Sequence, residues 1–146
     1  MSGKSLSTIT LADGYRDSVA CVATSAAVFR ANQRVTATVR LASGAVGRAT
    51  GGMEVELGLR MTIGASSIPF YECLYGLSNA GFYAQCIKQL GANGSFVDVG
   101  ATYGYDSGSA SVASMADGDV IVAEISGNTI TFKINGATQY VVTDSS

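Results

Sequence analysis

Glu54 and Glu56 stand two residues apart in the segment MEVELGLRM, so a strand running through it sets both carboxylates on one face, about 6–7 Å apart. Paired carboxylates at such a separation can act as acid and nucleophile on a glycosidic bond. The same two residues also suit a solvated strand face neutralised by Arg60 or by a cross-strand cation such as Arg40, and no feature of the sequence splits their pKa values into an acid and a base. The chain contains no His, which removes Ser-His-Asp and Cys-His nucleophile schemes. The expectation is a protein that is not an enzyme, with Glu54 and Glu56 as its catalytic candidates.

Sugar recognition would need an aromatic platform, and the chain has seven Tyr and no Trp. Tyr71, Tyr75 and Tyr83 cluster in FYECLYGLSNAGFYAQC. Tyr71, Cys73, Tyr75 and Leu77 share one strand face, which points to a core or inter-subunit role in which each ring is buried and its hydroxyl finds one polar partner. Tyr103, Tyr105 and Asp106 sit in a Gly-rich loop and are the ligand-binding candidates, against the alternative of an ordinary Gly-Tyr-Asp-Ser-Gly turn. Asp98, Asp106, Asp117 and Asp119 could supply oxygen ligands to calcium, but no loop has the dense alternating carboxylates of such a site. They read as turn formers, and no metal or cofactor is expected.

Cys21, Cys73 and Cys86 make an odd number, which argues for reduced thiols over a complete disulfide framework. A hairpin turn centred on Asn79 and Ala80 would set Cys73 directly opposite Cys86. Such a pair packs as two small apolar side chains. A disulfide or a metal is the alternative, although two cysteines without His or a second Cys pair make a poor zinc site.

The elements that must hold these residues are strands. Val35, Ala37, Val39 and Leu41 alternate with Arg34, Thr36, Thr38 and Arg40, and Met53, Val55, Leu57, Leu59 and Met61 alternate with Glu54, Glu56, Gly58 and Arg60. This period of two marks half-buried strands over Arg34–Leu41 and Met53–Thr62. Further strands are expected over Ile68–Leu77, Phe82–Leu90, Phe96–Val99 and Gly108–Ala113, with shorter ones at Thr8–Leu11 and Val19–Thr24. The clearest stretch is Ala116 to Ser146, where Asp117-Gly118, Gly127-Asn128 and Asn135-Gly136 tolerate positive φ and punctuate a three-stranded meander. No stretch has a helical 3.6-residue stripe. Gly-rich spacers at Ala42–Gly52, Gly91–Gly94 and Tyr103–Gly108 read as surface loops.

Composition narrows the partners. At 146 residues the chain fits one domain, 1–146, with 1–27 as N-terminal strands or an arm. A net charge of −2 with scattered Lys and Arg lacks the footprint of a nucleic-acid binder. Val19–Phe29, the most apolar early segment, is far shorter than a membrane span, and MSGKSLSTIT has no apolar signal core. The chain therefore reads as made in the cytoplasm without a signal peptide. Only 14% of residues are charged while 47% are hydrophobic, a balance that suits packed β-structure and assembly into something larger.

Many short amphipathic strands without crossover helices imply an all-β, antiparallel β-sandwich. The order VFRANQRVTATVRL, GGMEVELGLRM, FYECLYGLSNAGFYAQCIKQ and MADGDVIVAEISGNTITFKINGATQYVVTD resembles the concanavalin A-like, laminin-G-like jelly-roll superfamily. The resemblance spans roughly Val28 to Asp144 and is carried chiefly by Gly118, Asp119, Glu124, Gly127, Asn128, Thr129, Asn135 and Gly136. It implies a jelly roll of concanavalin A-like type, in a superfamily whose members bind glycans, cleave polysaccharides or serve as scaffolds, including domains of phage particles. Glu54 and Glu56 resemble part of the Glu-x-Asp-x-x-Glu signature of laminarinase-type glycosidases, but Glu stands in the Asp position and the third carboxylate is missing. The expected function is thus a non-catalytic structural or assembly subunit, a phage virion surface component such as a capsid decoration or tail-associated protein. The alternatives are a carbohydrate-binding, lectin-like module and a glycoside hydrolase. Laminin-G-like domains usually add a Gly-rich strand after the meander, whereas this sequence stops at Ser146. Unless Thr8–Leu11 or Val19–Thr24 covers the open position, the last strand is left with an unpaired edge, a template for another chain. Thr138, Tyr140 and Val142 are accordingly expected at an inter-subunit contact.

Overall fold

The computed structural model describes residues 31–41, 53–62, 69–78, 81–91, 95–101, 103–104 and 114–145. Tyr105 and Asp106, and the strands expected at Thr8–Leu11, Val19–Thr24 and Gly108–Ala113, lie outside them. The described residues form nine strands: β1 (Gln33–Thr38), β2 (Met53–Leu59), β3 (Phe70–Ser78), β4 (Gly81–Gln89), β5 (Phe96–Asp98), β6 (Tyr103–Gly104), β7 (Val120–Ser126), β8 (Thr129–Ile134) and β9 (Ala137–Thr143). No helix occurs among them, and none is long and apolar enough to cross a membrane. Tyr103–Gly104, expected as loop, is a short strand against Tyr83 and Ala84 of β4.

All pairings are antiparallel and fall into two sheets. The first has the order β1-β7-β8-β9, and the second β2-β3-β4-β5 with β6 also on β4. The meander forms as its turn residues demand. Asn135 and Gly136 both take positive φ, 49° and 81°, the combination of a two-residue type I′ turn. Gly127 alone does so in the preceding turn, at 56°. Ile121, Ala123 and Ile125 then face Ile134, Phe132 and Ile130 in register, and all six are buried.

One apolar core joins the sheets. Leu57, Leu59, Tyr71, Cys73, Tyr75, Ala84 and Cys86 of the second sheet cluster with Ile121, Ile125, Ile130, Phe132, Tyr140 and Val142 of the first, which makes the fold β-sandwich-like. Polar ties cross the same interface. Tyr75 hydrogen-bonds Asp119. The Tyr140 hydroxyl donates to the carbonyl of Gln85 at 3.0 Å. Asp144 accepts from the Tyr71 hydroxyl at 2.7 Å and from Lys88 Nζ at 2.8 Å. At the opposite flank β2 ends on Arg60, whose φ is 52°. Its N–H donates to Gln33 Oε1 at 2.6 Å, and its guanidinium to the carbonyls of Ala31, at 2.8 Å, and Gly127.

Candidate functional site

The outer face of the second sheet gathers its polar chemistry. Glu54, Gly76 and Tyr83 form one row across β2, β3 and β4. A Cβ on Gly76 would lie 2.5 Å from the Tyr83 ring, so the glycine is what lets that ring cross β3 and donate its hydroxyl to Glu54. Glu56 opposes Leu74 in the next row, and Glu72 lies diagonal to it on the same face. Glu72 is only 5% exposed and accepts from Gln89 Nε2 at 3.0 Å. Gln85 Nε2 donates to Asp98 at 2.8 Å. The period-2 pattern places Glu54 and Glu56 together as expected, but it did not single out Glu72, which joins them only through strand pairing. The neutralising cations proposed from sequence are engaged elsewhere: Arg60 holds backbone carbonyls, and Arg40 pairs with Asp117 at 3.5 Å.

Of the ligand-loop candidates only Tyr103 is described. Its ring stacks on Tyr140 with centroids 5.4 Å apart, and Tyr140 stacks in turn on Phe132 at 5.3 Å. Tyr103 is therefore packed against the core. Asp119 is a buried turn former: it accepts from the N–H of Ala116 and from Asn135 Nδ2, at 2.8 and 2.9 Å. Asp117 accepts the N–H of Leu41 at 2.9 Å. Among the described residues no group of three or more His, Cys, Asp or Glu is placed to hold a metal ion.

Cys73 and Cys86 face each other in register, as the hairpin count required. Both are free and buried. The thiols hydrogen-bond one another, and this bond holds Cys73 below its ordinary pKa while it raises that of Cys86. The Tyr140 hydroxyl lies against both, and burial raises its own pKa.

The first sheet carries a charged outer face, on the polar side of the alternation through its strands. Glu124 lies between Lys133, at 2.8 Å, and Arg34, at 3.4 Å. The Lys133 hydrogen bond, aided by both positive charges, keeps its carboxyl below the usual range. A shallow groove of about 460 Å³ opens beside it, lined by Asn32, Arg34, Glu124, Thr129 and Thr131 among others.

Comparisons with protein-family models, curated proteins and solved structures found no match for this chain. The residues themselves must carry any functional reading.

β9 is the outermost strand of the first sheet among the described residues. A register shift between Phe132 and Lys133 leaves Gln139 as an extra residue, with Phe132 facing Tyr140 and Lys133 facing Thr138. This bulge puts Thr138 and Tyr140 on opposite faces. Tyr140 and Val142 turn inward, 2% and 7% exposed, while Thr138 stays exposed. A straight count from the Asn135-Gly136 turn misses this, because it sets Tyr140 opposite Thr131 on the outer face. Of the three residues expected at a contact, two therefore serve the core. What the strand presents outward is its backbone edge. The Asp144 N–H bonds the Asn128 carbonyl at 3.0 Å, and in an antiparallel ladder this alternation leaves the N–H and C=O of Val141 and Thr143 pointing away from β8.

The edge of the second sheet lies on the same flank. β9 packs over β4, and β5 with β6 lies just beyond. Val97 opposes Lys88, whose ammonium holds Asp144. The strands at these edges carry exposed apolar side chains: Val141 of β9 at 55%, Phe96 and Val97 of β5 at 52% and 47%, and Leu90 just after β4 at 53%.

Proposed function

We propose that this chain is a non-catalytic assembly subunit, a jelly roll of concanavalin A-like type that packs against further copies of itself through the flank formed by β9 and β5. The observation that carries the reading is that two sheet edges lie on one flank and that the strands forming them bear exposed large apolar residues, Val141 on β9 and Phe96 and Val97 on β5. Soluble proteins normally blunt such edges with charge, and exposed apolar clusters mark interaction surfaces. Val141 and Thr143 offer backbone groups for strand addition, and Val97, Phe96 and Leu90 offer apolar area beside them. The resemblance of the meander to laminin-G-like sequences extends the proposal to a virion surface component, a capsid decoration or tail-associated subunit.

Size-exclusion chromatography with light scattering tests this reading. An oligomer is expected that Val141→Lys shifts to monomer, since a lysine on an edge strand opposes strand addition. A wild-type protein strictly monomeric at high concentration, and bound to no particle, would overturn it.

A second reading, a carbohydrate-binding module, draws on the outer face of the second sheet, where the carboxylates Glu54, Glu56, Glu72 and Asp98 are interleaved with Gln85, Gln89 and Tyr83. Binding on a glycan array that Glu56→Gln abolishes would favour it over assembly, and hydrolysis of a β-glucan lost in the same variant would instead favour a glycosidase.

A further inference from the structure

Cys73 and Cys86 carry more than packing. The carbonyl of Cys86 accepts the N–H of Val99 at 2.9 Å, on the side of β4 away from β3. Cys73 and Cys86 are consequently a non-hydrogen-bonded pair of the β3–β4 ladder, the kind whose Cα atoms approach to about 4.5 Å. That lies within the roughly 4.4–6.8 Å spanned by disulfides. Both side chains project to the same face, at 0% and 1% exposure, and their thiols are already in contact. Register and shared face thus set the two sulfurs up for a bond across the strand pair.

We propose that Cys73 and Cys86 form a cross-strand disulfide when the chain folds in the presence of a small-molecule disulfide oxidant. A thiolate of the pair attacks one sulfur of the oxidant, forming a mixed disulfide and expelling one small thiolate. The second cysteine, deprotonated in turn, attacks the sulfur of the first and expels the other small thiolate. Two protein thiols lose two electrons, one small disulfide becomes two thiols, and the two protons pass from the cysteines to the leaving groups. The reaction belongs to the hairpin stage. In the closed sandwich the pair is buried and offers an oxidant no approach, whereas the hairpin forms in microseconds and so pairs the two thiols each time the sheets are apart during the far slower exchange. Once made, the bond is shielded from reductants by the same core.

The test is to unfold and reduce the protein and refold it with oxidised and reduced glutathione. The natively folded fraction is then alkylated in denaturant and its unreduced peptides are mapped by mass spectrometry. Before alkylation the expected product is about 2 Da lighter than the reduced chain, the two hydrogens lost to the disulfide; after it, Cys73 is linked to Cys86 and Cys21 alone carries the alkyl group. It should melt roughly 5–10 °C above the reduced protein, as a loop of this length predicts. A Cys21→Ser variant should give the same link. Folded protein in which Cys73 and Cys86 both remain alkylatable, or in which either is linked to Cys21, would overturn the proposal. Because the wild-type arm decides alone, a Cys21→Ser variant that failed to fold would not spare it.

Discussion

Three phenols sit where water cannot easily accept their ionisation. Burial is the leading cause that raises the pKa of Tyr71, Tyr75 and Tyr140, supported by Asp144 beside Tyr71, Asp119 beside Tyr75 and the two thiols beside Tyr140. Lys88 is raised as well, by its hydrogen bond to Asp144. A group whose folded pKa exceeds its unfolded value stabilises fully below the unfolded value, about 10 for both residue types, and loses that contribution as pH rises through the folded one. Stability should therefore hold up to about pH 9.5 and fall above about pH 10. Tyrosinate absorbance should rise in two steps, the later one coinciding with loss of the β-sheet circular dichroism. A single titration near pH 10 that leaves the dichroism unchanged would contradict this placement of the rings.

At the scale of elements, Gly76 sets the β3–β4 hairpin apart from an ordinary strand pair. Gly76→Ala should cost about 1–3 kcal/mol by evicting the Tyr83 ring and its bond to Glu54, read as a lowered urea midpoint. In a Tyr83→Ala background the same change should cost nothing, and an unaltered cost there would show that the ring is not the cause. Much of this level was legible in the sequence. The Asn-Gly turn and the alternation through Ile121–Ile134 define β7 and β8, and the hairpin count sets Cys73 opposite Cys86. The Gln139 bulge was not legible, because an extra residue leaves each local pattern intact while it reverses the faces beyond it. The role of Gly76 was hidden for a related reason: it depends on a tyrosine from the neighbouring strand, and a glycine within a strand records only that room was needed. The candidate site was half legible. Glu54 and Glu56 follow from spacing, whereas Glu72, Gln85 and Gln89 join them only once the strands are paired.

At the scale of the molecule, the sheets are fastened at both flanks, by Asp144 with Tyr71 and Lys88 on one side and by Arg60 on the other. Arg60 reaches carbonyls 29 and 67 residues away in sequence, so its guanidinium is satisfied only after three distant parts of the chain have met. Contacts of that range form late, and a late contact affects the rate of unfolding far more than that of folding. Arg60→Ala, which keeps the left-handed backbone cost of a non-glycine residue, should raise the unfolding rate about tenfold and leave the folding rate within about twofold; equal changes in both arms of the chevron would place the contact earlier. The latch thus governs the lifetime of the folded chain and not its arrival. For the assembly role proposed above that lifetime has a consequence: the longer each sandwich stays closed, the fewer copies expose their interior strands to one another before the proposed edges meet.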